Sequence, residues 1–265
     1  MIHYHGLPIT PATAAYRVLQ AGHGCISFLH KQQAEVAIEV AQSWMADNGA
    51  FSAWKAGAPI QDWGPFYEWA SQCQVTPNCD FAVIPDVIDG GEWENDKLIE
   101  ACPLPSWFAA PVWHMHESLP RLAHLAASFP RVCIGSSGRF RVTKTGDWWE
   151  RIAQAMAVVC DSHGRPRCKL HGLRMLDPDI FTRIPLSSAD STNIAQNIGI
   201  DSTWKGNYQP VGPEFKDWRA LTMRNRIESQ NSPSAWTPPQ KPAVTAGFLD
   251  EAINSRKRIN RENTA

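Results

Sequence analysis

Seven short apolar runs, each bounded by turn residues, recur along this chain. They are GCISFLH (24–30), SWMADNG (43–49), DFAVIPD (80–86), WFAAPVWHM (107–115), RVCIGSS (131–137), RCKLHGL (167–173) and PLSSADS (185–191). Between them the apolar residues fall three and four apart, as in KQQAEVAIEVA, PFYEWASQC, SLPRLAHLAASF and DWWERIAQAMAVVC. The short runs suit buried strands, and the wider spacing suits amphipathic helices. Strands that alternate with helices must pair in parallel through crossover connections. Two architectures meet that constraint, a closed β/α barrel and an open doubly wound sheet. Polar residues fit for chemistry follow nearly every run and do not cluster at one switch point. The expected fold is therefore α/β, a (β/α)8 TIM-like barrel.

An eighth strand is not evident. The eighth unit is expected to be irregular and to lie near STWKGNYQPVGPEFKDWRALTMRNRIESQ, a Pro/Gly-rich loop leading into an amphipathic helix. The barrel should occupy residues 1–230. Residues 231–265 read as a Pro-rich linker, NSPSAWTPPQKPAV, followed by an extended basic tail. The 265 residues suit one barrel of roughly 250 residues.

A hydrophobic content of 43% with 19% charged residues is enough for a sizeable core. No apolar stretch approaches the ~18 residues of a membrane span. The first residues have neither a basic nor an uninterrupted apolar region, so no signal peptide is read. Seven scattered cysteines without CxxC spacing argue against a zinc ribbon or redox motif, and fit reduced thiols in a cytoplasm. The net charge of −1 hides an asymmetry. Residues 1–100 hold four Lys/Arg against twelve Asp/Glu, and the remainder hold 21 against 14. A basic second half is compatible with a polyanionic partner, or with a merely solvated surface.

Three carboxylates close apolar runs: Asp47 in ADNGAF, Asp86 in FAVIPDV and Asp190 in SSADSTN. In a β/α barrel those positions converge on one face. Asp190, among Ser and Thr hydroxyls, is the candidate nucleophile for an anomeric carbon; capping the helix at TNIAQNIG is its plainer role. Asn48-Gly49 also signals a hairpin, but AFSAWKAG does not form a returning strand, so a loop at a strand end fits better. There Asp47, Asn48, Gly49 and Phe51 would face a polar heterocycle. His114 and His116 form an HxH pair expected on one side of a strand; they, and His171 at the end of the sixth run, are candidates for hydrogen bonds to a base or sugar, or for core histidines satisfied by neighbours. With His171 and Asp190 they offer an alternative, a divalent metal site of the amidohydrolase type. Gly135, Ser136 and Ser137 end the fifth run, where glycine lets backbone approach a ligand. Arg139, Arg141, Lys144 and Arg174 are candidate phosphate contacts. Trp44, Trp54, Trp113 and Trp204 lie near strand ends and are candidates for stacking on a base.

In this order the residues resemble the tRNA-guanine transglycosylase superfamily. The likeness is closer to its DNA-acting branch, the 7-deazaguanine transglycosylases of phages and bacteria (the DpdA family), and covers roughly residues 20–205. DNGAF resembles that family's Asp-Ser-Gly-Gly-Phe/Tyr element and implies an acid/base or base-recognition role for Asp47. IPDV implies base binding by Asp86, VCIGSSG backbone recognition by Gly135 and Ser136, and SADST the nucleophile at Asp190. Two features depart from the family. No cysteine follows Cys168, where the tRNA enzymes carry a Cys-rich zinc site, and VWHMHES stands where a Gln-containing motif is usual.

The resemblance implies exchange of guanine for a 7-deazaguanine base in DNA, with tRNA a less favoured substrate, through a covalent glycosyl-Asp intermediate. The exchange needs no redox cofactor, and without the zinc cysteines no metal is expected in this chain. The compartment would be the cytoplasm, the host's if the chain is phage-encoded. A non-catalytic DNA-binding barrel remains a third reading.

Overall fold

The computed structural model describes residues 1–199 and 212–238. Nine strand segments form one parallel sheet: β1 (Ile2–Gly6), β2 (His23–Ser27), β3 (Ser43–Asp47), β4 (Cys79–Val83), β5 (Ala109–Ala110), β6 (Val112–His114), β7 (Arg131–Gly135), β8 (Lys169–Gly172) and β9 (Ser188–Ser191). Their spatial order is β5-β4-β3-β2-β1-β9-β8-β7-β6. The two ends of that order, β5 and β6, are neighbours in the chain, divided by Pro111. Proline has no N–H for a ladder, so the segment splits there. β5 pairs with β4 and β6 with β7, while the Pro111 carbonyl still accepts from Cys133 N at 2.9 Å. The sheet thereby wraps into a nearly closed TIM-like barrel with helices outside.

The seven sequence runs all become strands, six of them ending before the run does; the seventh keeps its end at Ser191 and starts late, at Ser188. The eighth strand is the surprise: it is β1, at the N-terminus, between β2 and β9. The Pro/Gly-rich start of the expected eighth unit, 202–211, lies outside the described residues. A helix does follow, α10 (Pro213–Glu228), but its apolar residues are not gathered on one face as an amphipathic helix requires.

Alternation along the strands explains both the core and the site, because successive side chains point to opposite faces. Met45, Phe81, Val83, Val112 and Cys133 point into the barrel with Tyr4 and Cys25. Ile26, Trp44, Ala46, Ala82, Trp113, Val132, Ile134, Leu170 and Ala189 point out and pack against the helices. Trp44 and Trp113 are therefore core residues, not base-stacking ones as their positions near strand ends had suggested. Trp204 lies outside the described residues. Between Trp44 and Met45 the register with β4 shifts, leaving Asp80 as an extra residue. That bulge turns Asp80 inward, where it accepts from Tyr4 Oη and from Ser43 Oγ at 2.5 Å.

β1 escapes detection because its outward face is histidine. His3 Nε2 meets the Gln230 carbonyl at 3.1 Å, and His5 Nε2 meets Glu228 Oε1 at 3.0 Å. These bonds dock the end of α10, which lies along α1 (Ala12–Leu19), against the barrel. Residues 231–238 then cross the base of the barrel. Leu186 N donates to Ser232 Oγ at 2.7 Å, and Trp236 N donates to the Gly164 carbonyl at 2.7 Å. Among the described residues no helix is long and apolar enough to cross a membrane.

Burial holds the His3 imidazole down at about 4, below its ordinary 6.5. The folded protein thus keeps His3 neutral where the unfolded chain would charge it. This contribution is complete above pH 6.5 and is lost as pH falls toward 4, by on the order of 3 kcal/mol. Urea unfolding between pH 4 and 7 should therefore show a smaller loss of stability for His3→Gln than for wild type. Equal acid sensitivity of the two proteins would remove His3 as the cause.

Candidate functional site

The inward positions change character at the C-terminal ends of the strands. Following each strand upward by two residues replaces Cys25 with Ser27, Met45 with Asp47, Val112 with His114, Cys133 with Gly135 and Ser188 with Asp190. These residues line one cavity of about 660 Å³, joined by Gly6 at the end of β1. Asp86 also lines it but from beyond its strand, carried there by Ile84 and Pro85. A second, more open cleft of about 490 Å³, between Pro130, Lys169, Pro185 and Pro233, has no carboxylate in its lining. Lys169, at the start of β8, belongs to that cleft, at the opposite end of the strand from the site.

Asp190 is held through one oxygen. Its Oδ1 accepts from Arg174 N at 3.0 Å and lies 3.2 Å from His171 Nε2; among the described residues Oδ2 has no hydrogen bond. Arg174 adopts a left-handed backbone, φ 57°, uncommon for a residue with a Cβ, and this aims its N–H at the carboxylate. Asp190 does not cap the following helix, α9 (Asn193–Asn197). Ser191 Oγ takes the Asn193 N–H instead, at 2.9 Å.

Asp47 ends β3 and accepts from Gly49 N at 3.1 Å. No hairpin forms: Gly49, φ 80°, starts α3 (Ala50–Lys55). A Cβ at Gly49 would lie 2.9 Å from Leu29 Cγ, so space as well as conformation requires glycine. Burial, then the neighbouring carboxylates of Asp190 and Asp86, push the Asp47 carboxyl up to about 7. It is therefore poised between acid and base near neutrality.

Asn48 is a brace. Its amide donates to the Ile84 carbonyl and to Asp86 Oδ1, both at 2.8 Å, and its oxygen accepts from Ala50 N at 2.7 Å. Asp86 Oδ2 lies 2.9 Å from His114 Nε2. That pair is close but off the line of a hydrogen bond, and neither buried nitrogen of His114 has a hydrogen-bond partner among the described residues. Ser27 Oγ is likewise without one. A Cβ at Gly135 would stand 3.3 Å from His114 Nδ1, so the missing side chain keeps the space over that nitrogen open.

Other expectations separate. His116 stacks on His114 at 5.6 Å, but its ring nitrogens meet Ser137 Oγ at 2.8 Å and the Gly90 carbonyl at 3.0 Å, outside the cavity lining. His171 is fully buried beneath Asp190. Among the described residues no three His, Cys, Asp or Glu side chains are grouped to hold a metal ion, so the amidohydrolase arrangement does not assemble there. Arg139 and Arg141 are exposed beyond β7, whereas Lys144 is committed to Asp177 at 2.8 Å and Asp179 at 3.3 Å. Arg174 stays at the mouth, its guanidinium 3.7 Å from the centre of the Phe51 ring and its Nη2 3.2 Å from the Ser136 carbonyl. Trp54 is exposed and donates to Asp89 at 2.6 Å.

The sequence reading missed Ser27 and Lys55 in the lining, and Glu117 behind it. Buried Glu117 accepts from His114 N at 2.8 Å, Asn95 Nδ2 at 2.9 Å and Arg121 Nη1 at 2.7 Å, fixing the loop that presents His114. A Glu and an Arg four apart around a Ser helix cap were the available signal.

No protein-family model matches the chain, and no curated protein does. Among solved structures, one described as "Structural study of Project ID from Aquifex aeolicus VF5" is similar over 87% of this chain and 93% of its own, with 9% identity and a TM-score of 0.45. A likeness at that level carries no argument about what the site does.

Proposed function

We propose that the chain is a base-exchange transglycosylase that replaces guanine in a nucleic acid, DNA in preference to tRNA, with a 7-deazaguanine base. The observation that carries this reading is a pair of carboxyl groups facing one cavity in different states. Asp190 has one oxygen anchored and one open, and Asp47 is drawn up to about 7. One carboxyl with an oxygen open to the cavity, beside another held ready to give and take a proton near neutrality, suits a division into nucleophile and acid/base. In the proposed reaction Asp190 Oδ2 attacks C1′ as the bond to guanine breaks, and Asp47 gives its proton to the departing base. The ester C1′–Oδ2 bond then breaks as the incoming base attacks C1′ and loses a proton to Asp47.

Asp86, the backbone at Gly135 and Ser136, and His114 are suited to reading the base edge, with the Phe51 ring beside them. The resemblance noted in the sequence agrees for Asp86, Gly135 and Ser136, whereas His114 stands where that family has its Gln-containing motif. A cavity of about 660 Å³ falls within the range of small-molecule sites. A duplex substrate must first release the target nucleotide from the stack, at a cost of a few kcal/mol.

Nucleoside mass spectrometry of DNA and tRNA from cells expressing the chain tests the reading. A 7-deazaguanine nucleoside in DNA is expected; its absence from both nucleic acids ends the proposal. Binding to DNA should weaken steeply with salt as phosphate contacts release counterions. Arg139→Ala and Arg141→Ala should each reduce the slope of log K against log[salt] by about 1, and Lys144→Ala should change it least. A flat salt response in the wild-type protein removes the phosphate contacts.

A further inference from the structure

We propose that His171 is a positioning residue for Asp190, fixed as the Nε2–H tautomer by Ser188 and Arg131 from inside the barrel. The inference rests on the reading of Asp190 as nucleophile, and replaces the expectation that His171 touches substrate. Its ring has no exposed surface and sits 5.3 Å from Phe81 and 6.0 Å from Tyr4, centre to centre. Its Nδ1 lies 2.9 Å from Ser188 Oγ and its Nε2 3.2 Å from Asp190 Oδ1.

The direction of these bonds follows from what each group is able to do. Arg131, its guanidinium 3.9 Å from the centre of the Phe81 ring, reaches Ser188 Oγ through Nη1 at 3.3 Å. A guanidinium only donates, so the serine oxygen accepts there and its hydroxyl hydrogen remains for His171 Nδ1. A carboxylate only accepts, so the proton on the ring belongs on Nε2. Burial holds the imidazole below its ordinary range, which keeps the ring neutral and leaves Nδ1 bare. Every donor in the chain Arg131, Ser188, His171 therefore points toward Asp190. With Arg174 N on the same oxygen, two N–H groups fix the carboxylate plane and leave Oδ2 turned to the cavity. The logic is that of a histidine held in one tautomer by a partner on its far nitrogen.

Imidazole ¹⁵N NMR of the full chain at pH 7 reads the tautomer without any substrate. The expected spectrum has His171 protonated at Nε2 and bare at Nδ1, and Ser188→Ala converts it to a mixture of tautomers. In base-exchange assays His171→Leu should lower kcat about 10- to 100-fold with KM changed less than about threefold, and His171→Gln, which keeps a donor and an acceptor, should recover most of the loss. An Nδ1–H ring or a doubly protonated ring in the wild type overturns the proposal, as does His171→Leu with unchanged kcat. If the wild type exchanges no base, the functional reading falls, and the NMR result alone decides the tautomer.

Discussion

Replacing Asp190 with Asn is expected to lower base exchange by roughly 10⁴-fold or more while the barrel stays folded. Loss of a covalent nucleophile costs on this scale because remaining groups supply only binding and polarisation. The fold should survive because the substitution is nearly isosteric. Asn Oδ1 is still able to accept from Arg174 N, and the residue faces the cavity, not the apolar layer beneath the helices. Two measurements separate the nucleophile from a mere binding group. Incorporation of labelled base should vanish in Asp190→Asn, with circular dichroism and melting temperature close to wild type. Denaturing mass spectrometry of the wild type mixed with substrate should reveal a covalent adduct of the protein with the guanine-depleted nucleic acid that the variant lacks. Incorporation at the wild-type rate by Asp190→Asn would take the residue out of the reaction and favour a barrel that only binds nucleic acid.

Much of this arrangement was legible in the chain because strand alternation is strict. Once SWMAD and SSADS are strands, Asp47 lies on the same face as Met45, and Asp190 on the same face as Ser188. Parallel closure then brings distant strand ends to one mouth. What sequence could not supply were partners from other parts of the chain. Lys144 looks like any basic rim residue until Asp177 and Asp179 close on it. Asn48 looks like a ligand contact until its amide is found spent on Ile84 and Asp86. His116 shares the HxH spacing, but β6 ends at His114, so the alternation does not extend to it. β1 was hidden for a related reason: His3 and His5 read as polar, and only the docking of α10 gives their face a covering.

Asp47→Asn is expected to make the protein more stable at pH 8 and much less active at any pH. The wild-type carboxyl titrates near 7 in the folded state against 3.8 for an ordinary aspartate. Between those values the native protein holds a proton that the unfolded chain does not. Stability therefore falls as pH rises through this window, and by pH 8 the loss is on the order of 4 kcal/mol. An amide cannot ionise, so Asp47→Asn escapes the penalty. Its melting temperature should exceed that of wild type by roughly 5 °C or more at pH 8 and differ little at pH 4. Activity moves the other way. A general acid near 7 gives a wild-type rate that declines about tenfold per pH unit above neutrality, and losing it costs about 10²- to 10⁴-fold. The residual rate of the variant should lack that alkaline limb. Opposite signs in the two measurements are what a working carboxyl buried at the expense of stability requires. A variant destabilised at pH 8 would mean that the carboxyl is not held protonated by burial and by Asp190 and Asp86. An alkaline limb that persists in Asp47→Asn would place the acid on another residue.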